Sequence, residues 1–294
     1  MLSNISNWLK RKFRKMTTGQ LVVFIIAFAL FALYAFSIIY TMCWSVLASL
    51  KDVYQFSIDP FGFPEGLHFE NYVKAFNSMQ VNGCNLFMML LNSLWYSIGG
   101  TFLSIACSTT MAYVVAKYKF PGRRVLYTTA IVIMTLPIMG TLPSSYKLIY
   151  SLGINSSPLI LLTFTSGFGM NFVILYGFFT NVSWSYAEAG LIDGAGDFTI
   201  FLKILLPLAM PAVTSLFIIA FIGVWNDYQG PLLYMPEMPT LATGIYKYET
   251  EAKRNNNFPI LYAALTLVMI PVLVLFIFFQ ETIMNNTVAG GLKG

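Results

Sequence analysis

Six runs of this chain contain no Asp, Glu, Lys or Arg: residues 21–48, 86–116, 125–146, 156–181, 204–226 and 258–280. Each is at or above the roughly 20 residues that a helix needs to cross the hydrocarbon of a bilayer. All 17 Lys and Arg and all 12 Asp and Glu fall outside them. An ionised side chain at the centre of a spanning helix costs about 2.5–3.5 kcal/mol on the insertion scale, so charge is excluded where lipid is the solvent. Only helices and closed barrels satisfy their backbone in lipid, and these runs are too long and continuous for barrel strands. The pattern predicts an all-α integral membrane protein with six transmembrane helices.

Composition agrees. The chain is 57% hydrophobic and 10% charged, against about 25% charged for a soluble domain, which speaks against a soluble enzyme or nucleic-acid binder. Cys43, Cys84 and Cys107 form no CxxC pair and His68 is the single histidine, so no metal cluster or disulfide framework is expected.

The basic residues fix an orientation. Lys10, Arg11, Lys12, Arg14, Lys15, Lys117, Lys119, Arg123, Arg124, Lys203 and Lys293 share one side of the expected topology. Lys51, Lys74, Lys147, Lys247, Lys253 and Arg254 share the other. The positive-inside rule puts the richer side, with both termini, in the cytoplasm. The first apolar run is too long for a secretory signal, and Tyr40-Thr41-Met42 before Cys43 lacks the small residues of a cleavage site. Two outer segments, residues 51–85 and 227–257, are long enough to fold; a short helix is expected over 70–79, and His68 reads as a solvated loop residue.

Between the fourth and fifth runs lies a cytoplasmic segment, residues 183–203, with the marks of structure. Ser185 followed by Glu188 fits a capping box, so a short helix should start there. It should stop at Gly194 to Gly196, where glycine supplies a left-handed cap, and a second amphipathic turn should begin at Asp197 with Phe198, Phe201, Leu202 and Leu205 at helical spacing. The small residues Ala187, Ala189, Gly190, Gly194 and Ala195 leave a bare surface that a partner's backbone can approach. The other reading is an interfacial helix on lipid headgroups, which fits 198–205 better than 188–194.

Glu188-Ala189-Gly190, three residues, Gly194, nine residues, then Ile204-Leu205-Leu206-Pro207 resembles the EAA signature of bacterial ATP-binding-cassette (ABC) importer permeases, with Gly190 in place of the second alanine. Ala112-Tyr113 with Lys117 to Arg123, Leu152-Gly153-Ile154, Ile192-Asp193-Gly194-Ala195, Trp225-Asn226-Asp227-Tyr228, and Ala289-Gly290 with Lys293-Gly294 are similar to the shorter, six-helix member of the maltose-type carbohydrate permeases. The likeness runs from residue 86 to the C-terminus and departs at Asn285-Asn286-Thr287.

The resemblance implies the type I ABC importer permease fold, with a basic N-terminus (1–20), a first helix and outer loop (21–85), a permease core (86–280) carrying a coupling loop (182–203), and a cytoplasmic tail (281–294). It implies that Glu188, Ala189, Gly190 and Gly194, with Asp193 as a weaker member, dock into an ATPase subunit; the alternative for Glu188 is that it only caps its own helix. It further implies a bacterial inner-membrane assembly with a second permease, two ATPase subunits and an extracytoplasmic solute-binding protein. There is no GxxxxGK[ST] phosphate loop, so ATP and Mg are expected on the partner ATPase and no catalysis in this chain.

Polar residues at membrane depth are the candidates for the solute pathway: Asn92, Ser93, Asn171, Trp225 and Asn226. Amides match sugar hydroxyls and aromatic faces match sugar rings, although helix–helix hydrogen bonds explain buried Asn equally well. Pro207 and Pro211 are expected to turn the chain into the membrane, and Pro137 and Pro143 to kink the third span. The expected function is uptake of a sugar or oligosaccharide. The alternatives are an ABC permease for another solute, or a secondary transporter, which would usually show intramembrane ionisable residues.

Overall fold

The computed structural model describes residues 17–136 and 140–289. The basic residues from Lys10 to Lys15, Pro137 and Lys293 lie outside the described residues. Secondary structure among the described residues is helical, apart from an isolated bridge between Val81 and Cys84. Four helices among the described residues are long and apolar enough to cross a membrane: Thr18–Ser49, Leu86–Lys117, Asp197–Trp225 and Phe258–Phe278.

The first of these, α1 (Thr18–Ser49), begins in a capping box in which Thr17 and Gln20 exchange hydrogen bonds. Its apolar side chains face outward on all sides, with Phe31 73% and Leu33 70% exposed, and only Ala48 and Ser49 are buried. Such a helix needs lipid or another chain around it.

The segment that follows folds into α2 (Val53–Ile58) and α3 (Glu70–Ser78), close to the helix expected over 70–79. The buried Lys51 ammonium donates to the Asp59 carbonyl at 2.7 Å, at the C-terminal end of α2 where a positive charge is favoured. Asn71 Nδ2 donates to the carbonyls of Ser49 and Lys51 at 2.9 and 2.8 Å. His68 Nδ1 pairs with the Glu70 carboxylate at 3.0 Å, and that hydrogen bond holds Glu70 below the usual carboxylate range. His68 is thus a paired loop residue.

Next comes α4 (Leu86–Lys117), capped by Asn85, which is central to the fold. The third and fourth charge-free runs are not continuous helices. Residues 125–146 divide between α5 (Arg123–Thr135) and α6 (Thr141–Ser151), with Gly140 left-handed at φ 78°. Pro143 sits in the first turn of α6, where a missing N–H leaves no helical bond broken, so it helps start a helix and does not kink one. Residues 156–181 divide between a 3₁₀ segment (Pro158–Phe164) and α7 (Met170–Asn181), separated by Gly169 at φ 139°.

The chain continues through α8 (Ser185–Ile192), α9 (Asp197–Ile200), a π-turn (Phe201–Leu205) and α10 (Leu206–Trp225). The turn expected at Pro207 and Pro211 is absent: the helical path runs unbroken from Asp197 to Trp225. Pro207 falls in the first turn of α10, and the Leu206 N–H reaches back to the Phe201 carbonyl, so a wide turn absorbs the missing donor. The next segment forms α11 (Gln229–Tyr234) and α12 (Leu241–Asn255), and α13 (Phe258–Ala289) follows.

The core is built on α4, which packs against α7 and α10. One cluster gathers Tyr113, Phe172, Phe179, Phe201 and Leu205; another, toward the other end of α4, gathers Met79, Met89, Trp225, Leu241 and Ala264.

Candidate functional site

The segment over residues 183–203 folds as helix, bend, helix, but its first cap differs from expectation. Ser185 is inside the first turn, and its N–H is accepted by Ser183 Oγ at 3.3 Å, with the two hydroxyls 2.8 Å apart. Trp184 holds the N-cap position without a side-chain cap, Ser183 takes one first-turn donor from the residue before it, and the Ser185–Glu188 capping box does not form. Glu188 is exposed and is not consumed in capping the helix.

The C-terminal end is as expected. Gly194 is left-handed at φ 80°, its N–H donates to the Leu191 carbonyl at 3.0 Å, and the Ala195 N–H donates to the Gly190 carbonyl at 2.9 Å. This pair of bonds is the Schellman arrangement, with Asp193 as the C-cap residue. Gly194 is therefore required by backbone shape before any partner is considered.

The small residues divide between two faces: Ala187 and Gly190 point inward, Ala189 and Gly194 are exposed, and Ala195 is half-buried. Ala187 and Gly190 are buried against the chain itself, and a Cβ on Gly190 would come 2.7 Å from Ile204 Cδ1 and 3.2 Å from Ile200 Cγ1. For Ala187 and Gly190 this corrects the expectation of room for a partner's backbone, since Ile200 and Ile204 fill the space at Gly190, whereas Ala189 and Gly194 stay open. Facing out are Glu188, Ala189 and Asp193, with Tyr186 52%, Leu191 48% and Ile192 86% exposed. This apolar crest was not singled out from sequence. Beyond the bend, Phe201 and Leu205 enter the core while Phe198 stays 73% exposed.

A clamp ties this segment to the end of α4. Tyr118 Oη donates to Asp197 Oδ1 at 3.1 Å and lies 3.1 Å from Tyr113 Oη. The Lys117 ammonium donates to the Val182 carbonyl, and Tyr118 meets Trp184 edge-on at 6.2 Å. Burial, then the neighbouring Tyr113 and the Asp197 carboxylate, push the Tyr118 hydroxyl well above its ordinary range, so it remains a donor.

The five pathway candidates do not form one site. Asn92 Nδ2 donates to the Pro239 carbonyl at 3.1 Å and its Oδ1 accepts from Trp95 Nε1 at 3.3 Å, which commits its amide to the chain's own packing. Ser93 Oγ likewise accepts from the Leu241 N–H at 2.8 Å. Asn171 is half-buried in the first turn of α7, away from the others. Trp225 and Asn226 do meet, in a cavity of about 530 Å³ at the end of α10, together with Tyr228, Tyr246 and Glu249.

Comparison with known proteins is decisive for the family. The model of the binding-protein-dependent transport system inner membrane component matches residues 104–285, more than half of the chain. This chain belongs to that family. The match covers α8, the Ser183 cap, the Gly194 turn and the Trp225–Asn226 corner together. Among curated relatives, the inner membrane component is 29% identical over 273 residues to the diacetylchitobiose uptake system permease protein of Streptomyces coelicolor, covering 91% of this chain and 88% of that one. It is 26% identical over 283 residues to the galactooligosaccharides transport system permease protein of Bacillus subtilis, covering 95% and 99%. Its fold resembles, with a TM-score of 0.72, 20% identity and coverage of 90% and 98%, a chain from the crystal structure of a bacterial ABC transporter involved in the import of the acidic polysaccharide alginate. The resemblance read from Glu188 to Pro207 is thereby confirmed at the level of family and fold.

Proposed function

We propose that this inner membrane component is the permease subunit of an ATP-driven importer for a sugar or oligosaccharide. The similar proteins named above are permeases for diacetylchitobiose and for galactooligosaccharides, and the likeness covers 91% and 95% of this chain. In this reading it has six spans, the broken third and fourth runs included, with both termini and α8 in the cytoplasm. The core spans residues 86–280, preceded by the first helix and outer loop and followed by the tail.

The observation that carries the reading is the build of α8. It is fixed at both ends by Ser183 and Gly194, backed by Ile200 and Ile204 at Gly190, and turned so that Glu188, Ala189, Ile192 and Asp193 face outward. A rigid knob of this kind suits a socket on an ATPase subunit, where ATP and Mg are bound. Gly190 and Gly194 serve the knob from within, by close approach and by backbone shape. Two ATPase subunits, a second permease and an extracytoplasmic solute-binding protein complete the assembly. Trp225 and Asn226 lie on the solute pathway, and Asn92 and Asn171 support it.

The test is co-purification with uptake. Ala189→Arg and Ile192→Asp replace exposed side chains without disturbing the caps, so the chain should still insert while losing the ATPase subunits and solute uptake. Normal uptake by both variants, or transport by this chain alone in liposomes, would sink the proposal.

A further inference from the structure

The cavity at the outer end of α10 carries more chemistry than its Trp-Asn pair alone. It is bounded by α1, the corner after α10, α12 and α13, and its lining includes Ser45, Trp225, Asn226, Tyr228, Tyr246 and Glu249. Tyr228 and Tyr246 stack with ring centroids 4.6 Å apart and planes within 19°, and they remain 43% and 42% exposed. A flat, exposed aromatic pair at the edge of a cavity is a platform for the apolar face of a ring.

The polar groups in this cavity are unevenly satisfied. Trp225 lines the cavity while only 3% exposed, and none of the side-chain hydrogen bonds among the described residues uses its indole N–H. Trp N–H groups usually find a partner, so this donor is available to a ligand in the cavity. Asn226 gives its Nδ2 to the Ile222 carbonyl at 2.8 Å, which leaves its Oδ1 free to accept. Glu249 Oε1 pairs with Lys253 at 2.6 Å, which leaves its second carboxylate oxygen to accept. One donor and two acceptors around an aromatic platform match a ring bearing several hydroxyls. No Lys or Arg lines the cavity and a carboxylate does, so an anionic ring would meet like charge at Glu249, offset only by Lys253, which pairs with Oε1 from outside the lining.

We propose that this cavity holds one uncharged sugar ring of the transported saccharide, with Tyr246 and Tyr228 as its platform and Trp225, Asn226 and Glu249 as hydrogen-bonding partners. The inference rests on the importer reading above and adds to it a place and a charge class. Glu249 is the specificity-determining residue: it selects neutral rings and rejects uronates.

The experiment uses the whole complex in proteoliposomes, with uptake of N,N′-diacetylchitobiose and galactotriose as neutral probes and digalacturonate as the acidic one. Tyr246→Ala should raise KM for the imported neutral probe about tenfold, with kcat within about twofold, and Tyr246→Phe should restore it. Glu249→Gln should let digalacturonate compete with the neutral probe, which the parent complex does not allow. Neutral uptake with an unchanged KM in Tyr246→Ala overturns the site and leaves the importer reading intact. Loss of the second permease from the Tyr246→Ala complex without a change in KM assigns the cavity to a subunit interface and also overturns it. A parent complex that moves no saccharide of either kind overturns the importer reading and this inference with it.

Discussion

Ile204 stands so close over Gly190 that a single added carbon would lie 2.7 Å from its Cδ1. Both residues belong to the same signature, one on α8 and one in the π-turn, and the contact explains the glycine that replaces alanine there. Gly190→Ala asks only that the end of the Ile204 side chain move, so a small loss is expected. Gly190→Val overfills the contact by more and should cost about 1–3 kcal/mol, with recovery on adding Ile204→Ala. Thermal unfolding of the purified complex reads both, and additive effects in the double variant would refute the contact.

The N-terminal end of α8 gives a sharper contrast. Ser183→Ala removes the hydroxyl that accepts the Ser185 N–H and should lower stability by about 1 kcal/mol. Ser185→Ala leaves that bond in place and should cost clearly less. Limited proteolysis of the loop, run on both variants, should cut the Ser183→Ala protein faster.

At Gly194 the ranking should follow tolerance of the left-handed region. With φ at 80° and no atom within 4 Å of where a Cβ would stand, strain and not space sets the cost. Asn should therefore be milder than Ala, which should lose about 1–2 kcal/mol. Equal melting temperatures for Gly194→Asn and Gly194→Ala would contradict this.

The clamp at Tyr118 should respond to substitution and to alkali. Tyr118→Phe deletes the bond to Asp197 and should cost about 1–2 kcal/mol. Because the folded hydroxyl titrates above its unfolded value of about 10, its contribution is present below that pH and is lost as pH rises beyond it. Stability measured from pH 8 to 11 should fall less steeply in Tyr118→Phe than in the parent.

Charge absence made α1, α4, α10 and α13 legible, because lipid forbids charge in any long span. The same signal is blind to a turn made by apolar residues and glycine, so the breaks at Gly140 and Gly169 went unseen. Gly194 announced the end of α8 by its backbone requirement. The cap did not, since Ser183 and Ser185 both suit the position and Glu188 three residues after Ser185 favoured the wrong one. Which way Ala187 and Gly190 face depends on Ile200 and Ile204 folding back, a tertiary fact without a local sign. Trp225 and Asn226 were found as neighbours, whereas Tyr246 and Glu249 arrive from α12 at no recognisable spacing.

At 1.5 Å per residue, the 32 residues of α4 form a rod roughly 48 Å long. Its Lys117 end is bonded to Val182, with Tyr118 beyond it bonded to Asp197, and near its other end Asn92 and Ser93 are bonded to Pro239 and Leu241. A rod held at both ends passes on a push as tilt or slide, unless it has a soft joint. The joint is Gly99–Gly100, and it is splinted: a Cβ on either would strike Leu161 or Phe164 at 2.7 and 2.8 Å. The short 3₁₀ segment is therefore what sets the stiffness of the lever, and trimming Leu161 or Phe164 would turn a beam into a hinge.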